Sequence, residues 1–216
     1  MVQVACQREI DARPKLKVLK TTARELSFII PVVRLPLLLG VQTTTRPYLL
    51  VTQFHGNGNV SHTIASAIKN SLLKSASAWY IFMENLVKAV SFVHSKRWLH
   101  NDIKHNNVVC HFARDDWQPV LIDFGKSCEI SEAKASLKKR DRKDYPWIAP
   151  EVLSGKGKVS VGSDVFSVGF LMKYIASNVS QCKTTRLTDV YGKCLDEFPK
   201  DRPSTQWIVK ELVIMR

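Results

Sequence analysis

An α+β protein, with a small strand-rich part followed by a larger helical part, is predicted by three features of this 216-residue sequence. Two apolar, β-prone runs, Leu37–Val41 and Tyr48–Phe54, lie close together and are joined by the polar stretch 42–47, the pattern of a hairpin. The segment His55-Gly56-Asn57-Gly58-Asn59 then interrupts regular structure. Beyond it, Ser61–Ser95 contains neither glycine nor proline and repeats apolar residues at helical intervals, enough for two helices.

The remaining elements follow from local pattern. Val2–Ala5 is a short β-prone run, and apolar residues at 16, 19, 26, 29 and 30 suit a helix over 16–30. Trp98-Leu99-His100, Val108-Val109-Cys110 and Val120-Leu121-Ile122 read as short strands, and the stretches after Pro150, Asp164, Thr188 and Pro203 as helices. Trp79, Tyr80, Phe82, Phe92 and Trp207 are expected core aromatics. The change of character places the hinge near residues 53–59, dividing the chain into 1–54 and 55–216.

Composition bounds the function classes. With 45% hydrophobic and 24% charged residues the chain is globular rather than disordered. A net charge of +13 attracts phosphates, nucleic acid, anionic membranes or acidic partners without choosing among them. The densest basic run, Lys138–Lys143, reads as a solvated loop, and no nucleic-acid recognition motif accompanies it, so nucleic acid is not the expected partner. Five cysteines, an odd number with no C-x-x-C pair, indicate reduced thiols, and the expected compartment is the cytoplasm or nucleus. Phe28–Val41 is too short and carries Pro31, Arg34 and Pro36, so no membrane span is expected. His94, His100, His105, Cys110 and His111 lack zinc-finger spacing.

Chemistry concentrates between residues 100 and 125: His100-Asn101-Asp102-Ile103-Lys104, then Asn107, then an apolar strand, then Asp123-Phe124-Gly125. Transfer of a phosphoryl group needs cations against the triphosphate, hard oxygen ligands for Mg²⁺, and a carboxylate to orient the accepting hydroxyl. This segment supplies all three residue types.

These residues resemble the eukaryotic protein-kinase family, whose catalytic loop reads H-R-D-L-K-x-x-N and whose metal-binding turn reads D-F-G. The resemblance implies a bilobal protein-kinase-like fold, a truncated strand-rich small lobe (1–54) before a mainly helical large lobe (55–216). It implies Asp102 as catalytic base, Lys104 against the transferring phosphate, and Asn107 and Asp123 as Mg²⁺ ligands. Ala149-Pro150-Glu151 matches the element that closes the activation segment. Asp164-Val165-Phe166-Ser167-Val168-Gly169 is similar to the family's D-x-W-S-x-G helix, whose Asp holds the catalytic loop's backbone. Asp201-Arg202-Pro203-Ser204 resembles the late R-P-S element, which pairs Arg202 with Glu151. Upstream, Thr52 takes the gatekeeper position, backbone groups of Gln53 and His55 are the expected adenine contacts, and Glu25 is the candidate ion-pairing residue of the regulatory helix. ATP and Mg²⁺ are the implied cofactors, and a protein substrate the implied partner.

Three departures accompany the match. The first glycine is Gly40, so residues 1–39 contain no glycine-rich loop; Gln7 takes the place of the strand lysine; and Asn101 replaces the arginine that reads activation-segment phosphorylation. The expected activity is therefore protein phosphorylation on Ser/Thr or Tyr. The alternatives are a catalytically impaired binding or scaffold module, or a chain whose amino end is incomplete.

Overall fold

The computed structural model describes residues 2–6, 35–42, 44, 49–135 and 141–216, and its strand-rich part is a three-stranded antiparallel sheet. Strands β1 (Val2–Cys6) and β2 (Leu38–Gln42) both pair with β3 (Leu49–Gln53), in the order β1-β3-β2. The hairpin read from the two apolar runs is present as the β2–β3 pair, with a register shift between Leu38 and Gly40. On the other side of β3, Gln3 stands opposite Thr52 and Val4 opposite Val51. The helix expected over 16–30, with Glu25, and the position of Gln7 lie outside the described residues.

Strand β4 (His62–Thr63) opens the helical part, and the helices begin where a hydroxyl can cap them. Thr63 accepts from the Ser66 amide at the start of α1 (Ile64–Lys69), and Ser75 accepts from the Ala78 amide at the start of α2 (Ala76–Ser95). Helix α2 buries Trp79, Phe82, Met83, Leu86, Val87, Val90 and Val93, so it is apolar over most of its circumference and forms the centre of the core. Trp98–Leu99 forms β5. Strands β6 (Val108–Ala113) and β7 (Asp116–Leu121) make a hairpin through Arg114 and Asp115, both at positive φ as a two-residue turn demands. β4 adds to the free edge of β6. The short strand β8 (Cys128–Glu129) pairs with β5.

After α3 (Pro150–Leu153), helix α4 (Val161–Asn178) starts three residues before Asp164, because Ser160 and Ser163 form a reciprocal capping box there. Likewise α5 (Thr185–Cys194) starts before Thr188, with Thr184 accepting from the Leu187 amide. Helix α6 (Thr205–Ile214), capped by Ser204, packs on α2. No described helix is long and apolar enough to cross a membrane.

Helices α4 and α5 approach through Gly169, where an added Cβ would stand 2.4 Å from the Cβ of Cys194. Gly169→Ala should therefore force the pair apart and cost about 1–3 kcal/mol, as overpacking of a close-packed core does. A denaturant melt reads this directly, and a variant as stable as wild type would show that the helices can separate freely.

Candidate active site

The loop between β5 and β6 is built around Asp164. This carboxylate, in the first turn of α4, is 1% exposed and accepts from the His100 amide at 2.8 Å, the Asn101 amide at 2.9 Å and His94 Nε2 at 2.9 Å. Burial pushes its pKa up, but the hydrogen bond and charge of His94, with smaller contributions from His100, outweigh that and hold it below the usual carboxylate range. The two amides it collects set the loop's turn, with Asn101 at φ 63, a left-handed conformation that asparagine tolerates better than most side chains. The side-chain Nδ2 of Asn101 donates to the Lys126 carbonyl at 3.1 Å and to Cys128 Sγ at 3.3 Å. It thereby ties the loop to the segment beyond Asp123-Phe124-Gly125, a tie that the β5–β8 ladder completes.

His100 is fully buried and joins three chain segments. Its Nδ1 accepts from the Asp102 amide at 3.3 Å, its Nε2 donates to the Ile122 carbonyl at 3.1 Å, and its ring meets Phe124 edge-on at 4.6 Å. Burial lowers its pKa, and the one donor and one acceptor it needs are those of a neutral imidazole.

Asp102 is 3% exposed and its two oxygens are unequal. Oδ2 accepts from Lys104 Nζ at 2.9 Å and from Asn107 Nδ2 at 3.0 Å. Oδ1 has the Lys126 ammonium 3.0 Å away as an ion-pair partner but accepts no well-aligned hydrogen bond. Burial raises the pKa of this carboxyl, yet the Lys104 and Lys126 ammoniums more than offset it, so the group is an anion at neutral pH. Lys104 is itself steadied over the Trp147 ring, 5.4 Å from its centroid.

Asn107 carries the geometry onward to Asp123. Its side chain donates to the Asp102 carbonyl at 2.8 Å as well as to Oδ2, and its main-chain carbonyl accepts from the Ile122 amide at 2.9 Å. Asp123 thus lies between two residues, Ile122 and Phe124, that are both clamped to the loop. It is exposed, in a left-handed conformation at φ 65, with Oδ1 accepting from the Gly125 amide at 3.3 Å. Both donor hydrogens of Asn107 are committed to Asp102, so what its side chain has left to offer is the amide oxygen, which like the Asp123 carboxylate is a donor of the hard-oxygen type that Mg²⁺ takes.

The residues expected at the hinge, Thr52, Gln53 and His55, are among those described. Thr52 and Gln53 end β3, and the Gln53 amide already donates to the Leu37 carbonyl at 2.8 Å, so an adenine contact by Gln53 falls to its carbonyl. The His55 side chain turns inward, edge-on to His111 at 5.2 Å, and burial with the nearby His111 charge lowers its pKa to about 4. Next to it, a Cβ on Gly56 would lie 2.2 Å from the Val60 carbonyl oxygen, which is why the turn needs glycine.

Behind the site, Arg202 makes a two-pronged pair with Glu151, both contacts 2.8 Å, and also donates to the carbonyls of Gly162, Asp196 and Glu197. Its guanidinium lies over the Phe166 ring. Ser167 Oγ donates to the Trp147 carbonyl at 2.8 Å, joining α4 to the segment before α3. Of the basic run, Asp141–Lys143 is described: Asp141 Oδ1 accepts from the Lys143 amide, and Arg142 lies over the Phe166 ring.

Direct hydrogen bonds thus bring Asp102, Lys104 and Asn107 together, Asp123 is tied to them through its chain neighbours Ile122 and Phe124, Thr52 and Gln53 belong to β3 with His55 just beyond it, and Glu25 falls outside the described residues. Two participants were not legible beforehand. Lys126 is signalled only by following Asp123-Phe124-Gly125 directly, and His94 as the third partner of Asp164 has no motif at all.

The profile of the protein kinase domain matches residues 32–207. The Drosophila melanogaster tyrosine-protein kinase Abl is 28% identical over 167 residues, 77% of this chain and 10% of that protein. The Arabidopsis thaliana LEAF RUST 10 disease-resistance locus receptor-like protein kinase-like 2.1 is 34% identical over 129 residues, 57% of this chain and 19% of that protein. CBL-interacting serine/threonine-protein kinase 2, also from Arabidopsis thaliana, is 28% identical over 157 residues, 70% of this chain and 31% of that protein. The chain thus spans between a tenth and a third of the length of these relatives.

Proposed function

The chain belongs to the protein kinase domain family, and from that premise we propose that it transfers the γ-phosphoryl group of ATP to a hydroxyl of a protein substrate. The observation that carries this reading is the asymmetry of Asp102. Asn107 and Lys104 hold one oxygen of an ionised, buried carboxylate, and the other faces the half-exposed Lys126 ammonium at 3.0 Å. That second oxygen suits the incoming hydroxyl. The hydroxyl oxygen attacks the γ-phosphorus, the bond from phosphorus to the bridging oxygen of ADP breaks, and the hydroxyl proton passes to Asp102 Oδ1. Lys104 is placed to neutralise charge on the transferring group. Asn107 and Asp123 would hold Mg²⁺, which supplies charge neutralisation at the phosphates. Lys104 in this loop favours serine or threonine as the acceptor, whereas the run Tyr48–Gly56 is more like that of tyrosine-directed members, so both hydroxyl classes belong in the assay.

The expected result is label transfer from γ-labelled ATP to a protein acceptor by the full chain with Mg²⁺, and none after chelation by EDTA. The same preparation, heated with and without Mg²⁺-ATP, tests a second reading favoured by the glycine-free stretch 1–39, that of a nucleotide-binding scaffold. A melting-temperature rise without transfer would replace catalysis by scaffolding, since any ligand of the native state stabilises it. Neither transfer nor a rise would overturn both.

A further inference from the structure

Beside Asp102 lies a cavity of about 510 Å³ that the transfer step does not use, lined by Asn101, Lys126, Cys128, Glu132, Lys134, Ile148, Val152 and Val159. Its walls divide by chemistry. Among the described residues Ile148, Val152 and Val159 are apolar, and Lys126 and Lys134 set two ammoniums against the carboxylate of Glu132. Both lysines stand on anchored backbone. The Lys126 carbonyl accepts from Asn101, and the Lys134 carbonyl accepts from the Val159 amide, next to the bridge between Ala135 and Lys158. Lys126 reaches from this cavity to Asp102 Oδ1, yet its side chain remains 52% exposed, and a pair of that kind is held weakly.

We propose that this cavity receives the acceptor segment and selects an acidic one, with a carboxylate near the acceptor hydroxyl taking Lys126 and Lys134 as partners. The inference rests on the kinase reading and adds its substrate class. Lys126 covers the oxygen of Asp102 that the hydroxyl must reach. An acidic side chain on the substrate offers that ammonium a second anion and draws it off Oδ1, so a matching substrate uncovers the base. The three apolar walls accommodate the aliphatic part of the segment, while charge supplies the selection.

The test is equilibrium binding to the full chain, read by fluorescence anisotropy of labelled peptides of equal length with one serine flanked by glutamate, glutamine or lysine. The glutamate peptide should bind about ten-fold more tightly than the glutamine peptide at low salt. The double charge reversal Lys126→Glu with Lys134→Glu should invert the preference toward the lysine peptide. Lys200→Glu with Lys210→Glu, an equal charge change at exposed lysines that do not line the cavity, should leave it standing. The single neutralisation Lys134→Gln, at an exposed side chain, gives an independent reading and should weaken only the glutamate peptide. Equal binding of the three peptides would overturn the proposal. So would loss of the preference in the Lys200/Lys210 variant, which would assign it to net charge, or displacement of the glutamate peptide by inorganic phosphate but not by chloride of equal ionic strength, which would assign the cavity to a free anion. The measurement needs no turnover, so glutamate-selective binding without phosphate transfer would sink the kinase reading alone, and transfer without selectivity would sink this one alone.

Discussion

Asp102→Asn should lower phosphate transfer by about 10²–10⁴-fold, the usual contribution of a positioned proton acceptor, with little change in melting temperature. The substitution keeps the shape of the side chain and one carbonyl oxygen to accept from Asn107, and the bond from Asn107 to the residue 102 carbonyl is untouched. What disappears is the anion. Lys104 and Lys126 lose their partner, but their side chains are 22% and 52% exposed, so water takes over much of their solvation and stability suffers little. Rate and stability should therefore separate: initial rates at saturating ATP fall while the thermal melt stays close to that of wild type. Equal rates for the two proteins would remove Asp102 from the chemistry.

The largest loss of stability is expected at Arg202. Its side chain is fully buried, whereas the Glu151 side chain is 15% exposed, and Arg202→Leu would strand that carboxylate together with the carbonyls of Gly162, Asp196 and Glu197. Breaking a buried pair from one side costs about 3–5 kcal/mol, which for a chain of this size lowers the melting temperature by roughly 6–20 °C. The double variant with Glu151→Gln should cost less than the two single losses added, because no uncompensated charge remains. Additive losses in a two-state denaturant titration would mean that the pair is not coupled and that the guanidinium serves the three carbonyls alone.

Much of the fold was legible in the sequence because its signals are local. The apolar hairpin runs, the glycine-free helical stretch and the break at 55–59 correspond to β2–β3, α1–α2 and the turn closed by the Asn57–Val60 bridge. Helix starts were displaced where a cap decides them, as at Ser160 and Thr184, since the apolar period does not reveal which hydroxyl closes the first turn. Strands β4 and β8 escaped notice because each is two residues long and exists only through a distant partner.

The choice of Asp102, Lys104, Asn107 and Asp123 as the proposed phosphoryl-transfer set came from sequence alone, through residue types at fixed spacing and their resemblance to one family, as did the pairing of Arg202 with Glu151 that the structure contains. Tertiary structure alone decided that Lys126 covers Asp102 Oδ1, that His94 is the third ligand of Asp164, and that two lysines face one cavity. These depend on β5 meeting β8 and on Asp164 of α4 holding the amides of His100 and Asn101, contacts between residues tens of positions apart. A local pattern encodes which groups a chain carries; the charge that stands 3.0 Å from a carboxylate is set by how distant segments pack.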